Sequence, residues 1–201
     1  MTILSVRTEL WFAWVEIAGE QERTAAAWRA RAAADIAAGR NPSANIAQET
    51  KAAMASVSAA GAALETFGTY LHYFTNDRPT RGPAAERVLK QVQRVYPDAK
   101  ISPELARRVS DLFTRRNRTL HYASKPERMA PHPLGVDSTW VARTFTVEAA
   151  REAVDVVADL VTAAFNPGTS PIDAAEWEAI RCRFVGKKLR NRSTIPLDVV
   201  P

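Results

Sequence analysis

The sequence predicts an all-α fold, a helical bundle with a long antiparallel helical hairpin followed by shorter helices.

 Residues 4–38 are rich in Ala, Glu, Arg and Trp and contain almost no helix-breaking residue. In residues 46–74, apolar or small side chains recur at alternating spacings of four and three, the strongest periodic signal in the chain. In residues 146–165, valines and alanines cover nearly the whole helical circumference, which is typical of a helix at the centre of a bundle.

The first two segments are predicted to pack as the hairpin. Residues 4–38 form one helix, or two joined near Gly19, and the run from Gly39 to Pro42 ends it because proline cannot continue a helix. Ser43 is a suitable cap for the second helix. Small side chains in the middle of its apolar stripe allow the two backbones to approach closely. The stripe consists of Ile46, Thr50, Ala53, Val57, Ala60, Leu64, Phe67, Leu71 and Phe74, with Gly61 beside it.

Two further helices are expected in the middle of the chain. Residues 76–83 are dense in turn formers and charge and indicate an exposed loop. A short helix is expected at about residues 84–96, where Pro97 follows. Ser102 is placed to cap the next helix, which can continue until Pro126 disfavours helical geometry at the residue before it.

The last part of the predicted bundle begins with a proline-rich connection, residues 125–137, expected to be a loop without regular structure. For residues 140–145 two alternatives are open, a short extended piece or a few turns of chain. Thr146 is a good cap for a helix that runs to about Phe165, with Glu148 in its first turn.

Residues 166–201 are predicted to form a short C-terminal helix and a basic tail. Asp173 and Glu176 form a pair that resembles a capping box for a helix through about Phe184. The tail contains Arg183, Lys187, Lys188, Arg190 and Arg192. Such a run is usually a solvated chain end, and less often an arm that contacts phosphate.

Composition sets broad limits on the class of protein. The chain has 201 residues with 46% hydrophobic content, which suits one domain with an appendage. A formal charge of +5 is compatible with a polyanionic partner without requiring one. The single cysteine, Cys182, excludes an intrachain disulfide, and neither a signal-peptide pattern nor a membrane-spanning apolar run is present. We therefore expect a cytoplasmic protein without membrane association.

Several classes of enzyme are disfavoured by missing motifs. The sequence contains no glycine-rich phosphate loop, no Gly-x-Ser-x-Gly run and no paired His or Cys at metal-ligand spacing. His72 and His132 lie far apart in sequence, and each is interpreted as a surface histidine. We therefore expect no cofactor and no metal site.

The most unusual stretch is residues 111–122, in the second half of the helix that Ser102 caps. Arg116 falls within the apolar stripe of this helix, where a guanidinium is costly unless an anion, a carboxylate or water receives it. Asn117 and His121 are four residues apart and therefore stack on the flank of the stripe. The stripe itself contains Leu105, Val109, Leu112 and Leu120, with Phe113 beside it, while Arg115 and Arg118 point towards the opposite, wetter side.

Two interpretations of this stretch are open. In the first, Arg116 extends to solvent or pairs with a structural Glu or Asp, and His121 is an ordinary histidine near a helix end. In the second, the Arg, Asn and His side chains converge on a functional cleft, where histidine can exchange a proton and the guanidinium can clamp a phosphate.

The sequence Arg116-Asn117-x-x-x-His121, late in one helix and followed by a loop and another apolar helix, resembles the R-x4-6-H motif of the HEPN superfamily. Asn117 also fits, because the residue after the arginine in that family is commonly Asn, Asp or His. The resemblance covers about residues 1–165 as a HEPN-like helical domain, and residues 166–201 are additional.

The resemblance implies a metal-independent endoribonuclease that cleaves single-stranded RNA, with two copies of the motif facing each other across a homodimer. Arg116 would hold the scissile phosphate, His121 would act in acid–base catalysis, and Asn117 would orient its neighbours. Arg115 and Arg118 are candidate RNA-binding residues, as are the tail residues Lys187, Lys188, Arg190 and Arg192.

The same resemblance implies a biological role for the protein and an alternative function. A toxin or an antiphage-defence effector is implied, with an antitoxin or another regulatory protein as a possible partner. Some family members are modified on a tyrosine two positions after the histidine, but that position is Ala123 here and the tyrosine is Tyr122. The alternative function is a non-catalytic HEPN-like module for dimerisation or binding.

Overall fold

The computed structural model of the chain describes residues 3–72, 81–120 and 129–164, and the side chains of residues 10–72, 81–119 and 129–164. The described chain is an all-α bundle with one very small sheet, as the sequence predicts. Its helices are α1 (Ile3–Ala37), α2 (Ser43–His72), α3 (Ala84–Val95), α4 (Pro103–Leu120), α5 (Trp140–Thr144) and α6 (Val147–Ala164), and its strands are β1 (Ala130–Pro131) and β2 (Asp137–Ser138).

The long hairpin of α1 and α2 is the main framework of the bundle. Of the two alternatives for the first segment, a single helix is observed, since α1 continues through Gly19. Gly39 ends it with a φ of 67°, a left-handed conformation that glycine adopts without steric cost. Asn41 then precedes α2, and its Oδ1 accepts a hydrogen bond from the backbone N–H of Ser43 at 2.9 Å.

The predicted stripe of α2 forms the centre of the core. Every member that the structure describes is buried, and only Phe74 lies outside the described residues. The Ser56 hydroxyl donates to the carbonyl oxygen of Ala18 at 2.8 Å, which joins α2 to α1 in a region of small side chains. The largest buried side chains of the described core are Trp11, Tyr70, Tyr96, Phe67 and Phe145.

The later helices pack on this hairpin. The Oγ of Ser102 accepts a hydrogen bond from the backbone N–H of Leu105 at 3.1 Å, which confirms the predicted cap of α4. Helix α6 contacts α1, α2 and α4 and buries residues around most of its circumference, as predicted for a central helix.

The connection from α4 to α6 is more regular than its sequence indicates. Residues 130–131 pair antiparallel with residues 137–138, although the prediction was a loop without regular structure. Residues 140–144 form the short helix α5, capped by Thr139, whose Oγ1 accepts a hydrogen bond from the N–H of Ala142 at 3.3 Å, so the extended alternative is wrong. Gly135, with a φ of 77°, allows the turn between the two strands.

None of the described helices has the combination of length and apolar character that crossing a membrane requires. The predicted helix at residues 173–184 and the basic tail lie outside the described residues.

Candidate functional site

Arg116 lies where α4 crosses α2, and it has a carboxylate partner. Its Nη2 is 2.8 Å from Oε2 of Glu65, and the two side chains are 23% and 29% exposed. The crossing is close because α2 has a glycine there: a Cβ on Gly61 would lie 2.9 Å from Cγ of Arg116. The first interpretation of the sequence, in which Arg116 pairs with a carboxylate, therefore describes its observed contact.

Hydroxyl groups fix the backbone of α4 at this crossing. The Thr119 hydroxyl donates to the carbonyl oxygen of Arg116 at 2.7 Å. Oγ of Ser58 lies 2.7 Å from Oγ1 of Thr119, and since the Thr119 proton is already used, Ser58 is the donor. The position of Arg116 is thus set by contacts on both helices.

The other predicted residues of α4 point in different directions. Asn117 is exposed, and its Oδ1 lies 3.5 Å from Nη1 of Arg116, which is a weak contact. Arg118 is also exposed, and its guanidinium lies 5.6 Å from the centre of the Trp140 ring. Arg115 is half-buried and lines a groove of about 260 Å³ between α4 and α6. The structure therefore does not bring Arg115 and Arg118 together with Arg116.

Several predicted site residues lie outside the described part of the chain. They are His121 and the tail residues Lys187, Lys188, Arg190 and Arg192. His121 directly follows Leu120, the last residue of α4.

A second arginine, which the sequence analysis did not identify, completes the surroundings of Glu65. Nη2 of Arg87, in the first turn of α3, lies 3.5 Å from Oε1 of Glu65, and its Nη1 donates to the carbonyl oxygen of Gly82 at 3.1 Å. We call Arg116, Glu65 and Arg87 the Arg116 cluster. The one-turn spacing of Gly61 and Glu65 places a small residue and a carboxylate on one face of α2, but it does not indicate which helix packs there.

The Arg116 cluster borders a groove of about 420 Å³ between α2 and α3. His72 lines this groove and is half-buried, whereas the prediction placed it on the surface. The groove is lined by Glu65, Thr66, Gly68, Thr69, His72, Arg87, Val88 and Gln91.

Comparison with protein-family models, curated proteins and solved structures gives no match to this chain.

A second polar cluster is buried at the other end of α2. The carboxylate of Glu49 is fully buried and accepts hydrogen bonds from Nε and Nη2 of Arg29 at 2.8 and 2.7 Å. It also accepts from the backbone N–H of Val147, the first residue of α6, at 3.0 Å. Arg29 donates in addition to both carboxylate oxygens of Glu148, at 2.9 and 3.0 Å.

His132 belongs to this second group, and its prediction as a surface histidine is wrong. Only 2% of the residue is exposed, because the turn between β1 and β2 carries it against α2. Its Nδ1 accepts a hydrogen bond from the backbone N–H of Leu134 at 3.3 Å, so its proton is on Nε2, 3.7 Å from Oε2 of Glu49. We call Arg29, Glu49, His132 and Glu148 the buried cluster.

The charges of the buried cluster compensate one another. Burial lowers the pKa of His132, which favours the neutral imidazole. Burial alone would raise the pKa of Glu148, but hydrogen bonds from Thr146 and Arg29 outweigh it and the pKa is lowered. Burial likewise opposes the charge of Arg29, yet its pKa is raised because hydrogen bonds to Glu49 and Glu148 dominate.

The two clusters therefore differ in their charge balance and in their exposure to solvent. In the buried cluster, one guanidinium is shared by two carboxylates and no part of Glu49 is exposed. In the Arg116 cluster, two guanidinium groups share one partly exposed carboxylate, which leaves a local positive charge that an anion can approach. Within the described ranges, no group of three or more His, Cys, Asp or Glu side chains is placed to hold a metal ion.

Proposed function

We propose that this protein is a HEPN-like endoribonuclease that cleaves single-stranded RNA without a metal and acts as a toxin or antiphage-defence effector. The observation that carries the proposal is the Arg116 cluster, in which the partly exposed guanidinium of the motif's arginine lies in a region of excess positive charge. The all-α bundle, with Arg116 and Asn117 late in α4 and the largely buried helix α6 after it, agrees with the resemblance.

The contacts of Arg116 suit a phosphate clamp. Glu65 holds Nη2 at 2.8 Å, while the contact of Nη1 with Asn117 is 3.5 Å long. Nη1 can therefore donate to a phosphate oxygen while Nη2 keeps the guanidinium in place. Glu65 is thus a positioning residue for Arg116 in this proposal.

The remaining roles follow the chemistry of RNA cleavage. The 2′-hydroxyl is the nucleophile, and His121 exchanges protons with the attacking or leaving oxygen. Asn117 is exposed beside Arg116 and orients the phosphate or the histidine. Arg115, Arg118 and the basic tail bind the RNA backbone away from the cut.

The resemblance also implies a homodimer with two motifs facing one another. This part of the proposal depends on the resemblance alone, because Arg116 has its carboxylate partner within its own chain. Light scattering at micromolar concentration without RNA is expected to give the mass of a dimer, and a monomer would contradict this part.

The second candidate is a non-catalytic HEPN-like module for dimerisation or binding. One observation favours it: the salt bridge with Glu65 gives Arg116 a structural partner at the crossing of α2 and α4. In this case the arginine contributes to packing, and its replacement would change stability without any effect on RNA.

The test is cleavage of a mixed pool of single-stranded RNA by the wild type, His121→Ala and Arg116→Lys. Removing a proton-transfer group typically costs about 10²- to 10⁴-fold, so His121→Ala should be nearly inactive while it remains folded. Arg116→Lys should also lose most activity, because a point charge cannot replace two donors held in one plane.

Arg108→Lys is the matched control. Arg108 is on the same helix, its side chain is 22% exposed, and it pairs with Glu152 and Asp159. Its replacement should leave cleavage close to wild type. An RNA pool that the wild type leaves intact, or equal rates for the wild type and His121→Ala, would favour the non-catalytic module.

A further inference from the structure

The groove between α2 and α3 has the features of a small-molecule site that shares Glu65 with the Arg116 cluster. Its volume of about 420 Å³ is within the range of ligand pockets, roughly 300 to 1,000 Å³. Gly68 and Val88 form an apolar floor: a Cβ on Gly68 would lie 3.2 Å from Cγ2 of Val88, so the two helices are in close contact there.

Two threonines of α2 give the groove hydrogen-bond acceptors. The Thr69 hydroxyl donates to the carbonyl oxygen of Glu65 at 2.9 Å, and the Thr66 hydroxyl donates to that of Ala62 at 2.7 Å. Since each hydroxyl proton is used within α2, the hydroxyl oxygens are left as acceptors. With the carboxylate of Glu65, they can receive N–H groups of a ligand.

Arg87 supplies a cation to the lining of the groove. Arg87 is 46% exposed, and its contact with Glu65 is long, at 3.5 Å, because the closer contact of Glu65 is with Arg116 at 2.8 Å. Its guanidinium can therefore bind an anion without breaking a short salt bridge. The groove thus combines an apolar floor, hydrogen-bond acceptors and the guanidinium of Arg87.

From this geometry we propose that the groove is a nucleotide-binding subsite, which takes one nucleotide of the RNA next to the phosphate held by Arg116. The base lies on the floor formed by Gly68 and Val88 and donates its amino group to the acceptors on the walls. The phosphate of that nucleotide binds Arg87. The identity of the ligand rests on the proposed function, and the experiment below separates the two.

The experiment is a titration of the full chain with each of the four nucleoside 3′-monophosphates, followed by backbone amide NMR shifts. Thr69→Trp fills the groove from an exposed position. Thr24→Trp is the matched control, since Thr24 is also exposed on a long helix and its hydroxyl donates to the carbonyl oxygen of Glu20 at the same 2.9 Å. Adenosine and inorganic phosphate, each alone, test the base and the anion separately.

The expected result is saturable shifts at Gly68, Thr69 and Arg87 in the wild type and in Thr24→Trp, and their loss in Thr69→Trp. Arg87→Ala should weaken binding of the monophosphates about tenfold, as expected for the loss of one charged contact, and should leave adenosine binding unchanged. No shifts at these amides, equal shifts in Thr69→Trp, or phosphate alone binding as tightly as the nucleotide would overturn the subsite.

Cleavage assays with the same variants separate this inference from the proposed function. If the wild type cleaves RNA and Thr69→Trp has an unchanged KM for RNA, the proposal of a nucleotide subsite is wrong and the proposed nuclease function is retained. If the wild type cleaves no RNA but the amides that line the groove show the expected NMR shifts, the nucleotide subsite is supported and the proposed nuclease function is wrong.

Discussion

Two arginine–carboxylate clusters lie on the same helix, α2, and differ in burial and in charge balance. Glu49 is fully buried and, with Glu148, gives the buried cluster more negative than positive charge around Arg29. Glu65 is 29% exposed and is shared by two arginines, so the Arg116 cluster has the opposite excess. In the buried cluster Glu49 is closed to solvent and the charged groups are hydrogen-bonded to one another, whereas the Arg116 cluster leaves its excess positive charge open to an anion.

The neighbours of each carboxylate explain this difference. Glu49 faces α1 and receives the N–H of Val147 at the N-terminus of α6, where a negative charge is stabilised by the helix dipole. Glu65 faces α3 and α4, and each supplies an arginine. The same pair of residue types therefore has different surroundings at the two ends of one helix.

The largest expected effect is on the free energy of unfolding. It is tested by making the same substitution, Glu to Gln, in each of the two clusters. Glu49→Gln leaves Arg29 with one fewer charged partner in a buried site and should lower the free energy of unfolding by about 3 kcal/mol or more. Glu65→Gln should lower it by less than about 1 kcal/mol, since the groups around it are partly exposed. Urea unfolding measures both, and equal losses would contradict the distinction between the clusters.

A second prediction concerns the close approach at Gly61. In Gly61→Ala the new Cβ would lie 2.9 Å from Cγ and 3.3 Å from Cβ of Arg116. Because these atoms are next to the backbone of α4, the crossing of α2 and α4 would have to shift and carry Arg116 with it. Because a small misplacement of a catalytic group lowers the rate strongly, we expect kcat/KM for RNA to fall about tenfold or more. Stability should also fall, by about 1 to 3 kcal/mol, since the added methyl group overpacks a close crossing and the gain in helix propensity offsets only part of this cost. A loss of stability with unchanged activity would assign this contact to packing alone.

A third prediction is a dependence of stability on pH that belongs to the buried cluster. The pKa of His132 is lowered in the folded protein by burial, so the unfolded chain binds a proton more readily. Its contribution is fully present above the unfolded pKa, about 6.5, and is lost as pH falls below it, with a slope of at most about 1.4 kcal/mol per pH unit. The groups that face it are Glu49, Arg29 and Glu148.

The measurement is urea unfolding between pH 5 and pH 7.5 for the wild type and His132→Gln. The substitution should remove the part of the slope that His132 contributes. If both proteins lose stability to the same extent as pH falls, another group is responsible and the buried imidazole does not titrate as proposed.

Local sequence signals, such as apolar periodicity and capping residues, predicted the helices well. The features that they did not predict depend on contacts between residues far apart in the sequence. The place of Arg116 in the apolar stripe of α4 followed from helical periodicity, and the cap at Ser102 from its side chain. The pairing of Arg116 with Glu65 could not be predicted, because it requires knowing that α4 crosses α2 at Gly61. His132 was misplaced for the same reason: its burial depends on a two-strand turn that folds onto another helix.

The most direct test of the central claim is the chemistry of the product ends. Wild-type protein is incubated in EDTA with a single-stranded RNA and with the same sequence carrying 2′-O-methyl riboses, and the fragments are identified by mass spectrometry. Attack by the 2′-hydroxyl predicts 5′ fragments that end in a 2′,3′-cyclic phosphate or its hydrolysis product, and a methylated RNA that stays intact. Cleavage of the methylated RNA, or cleavage that stops in EDTA, would contradict the account.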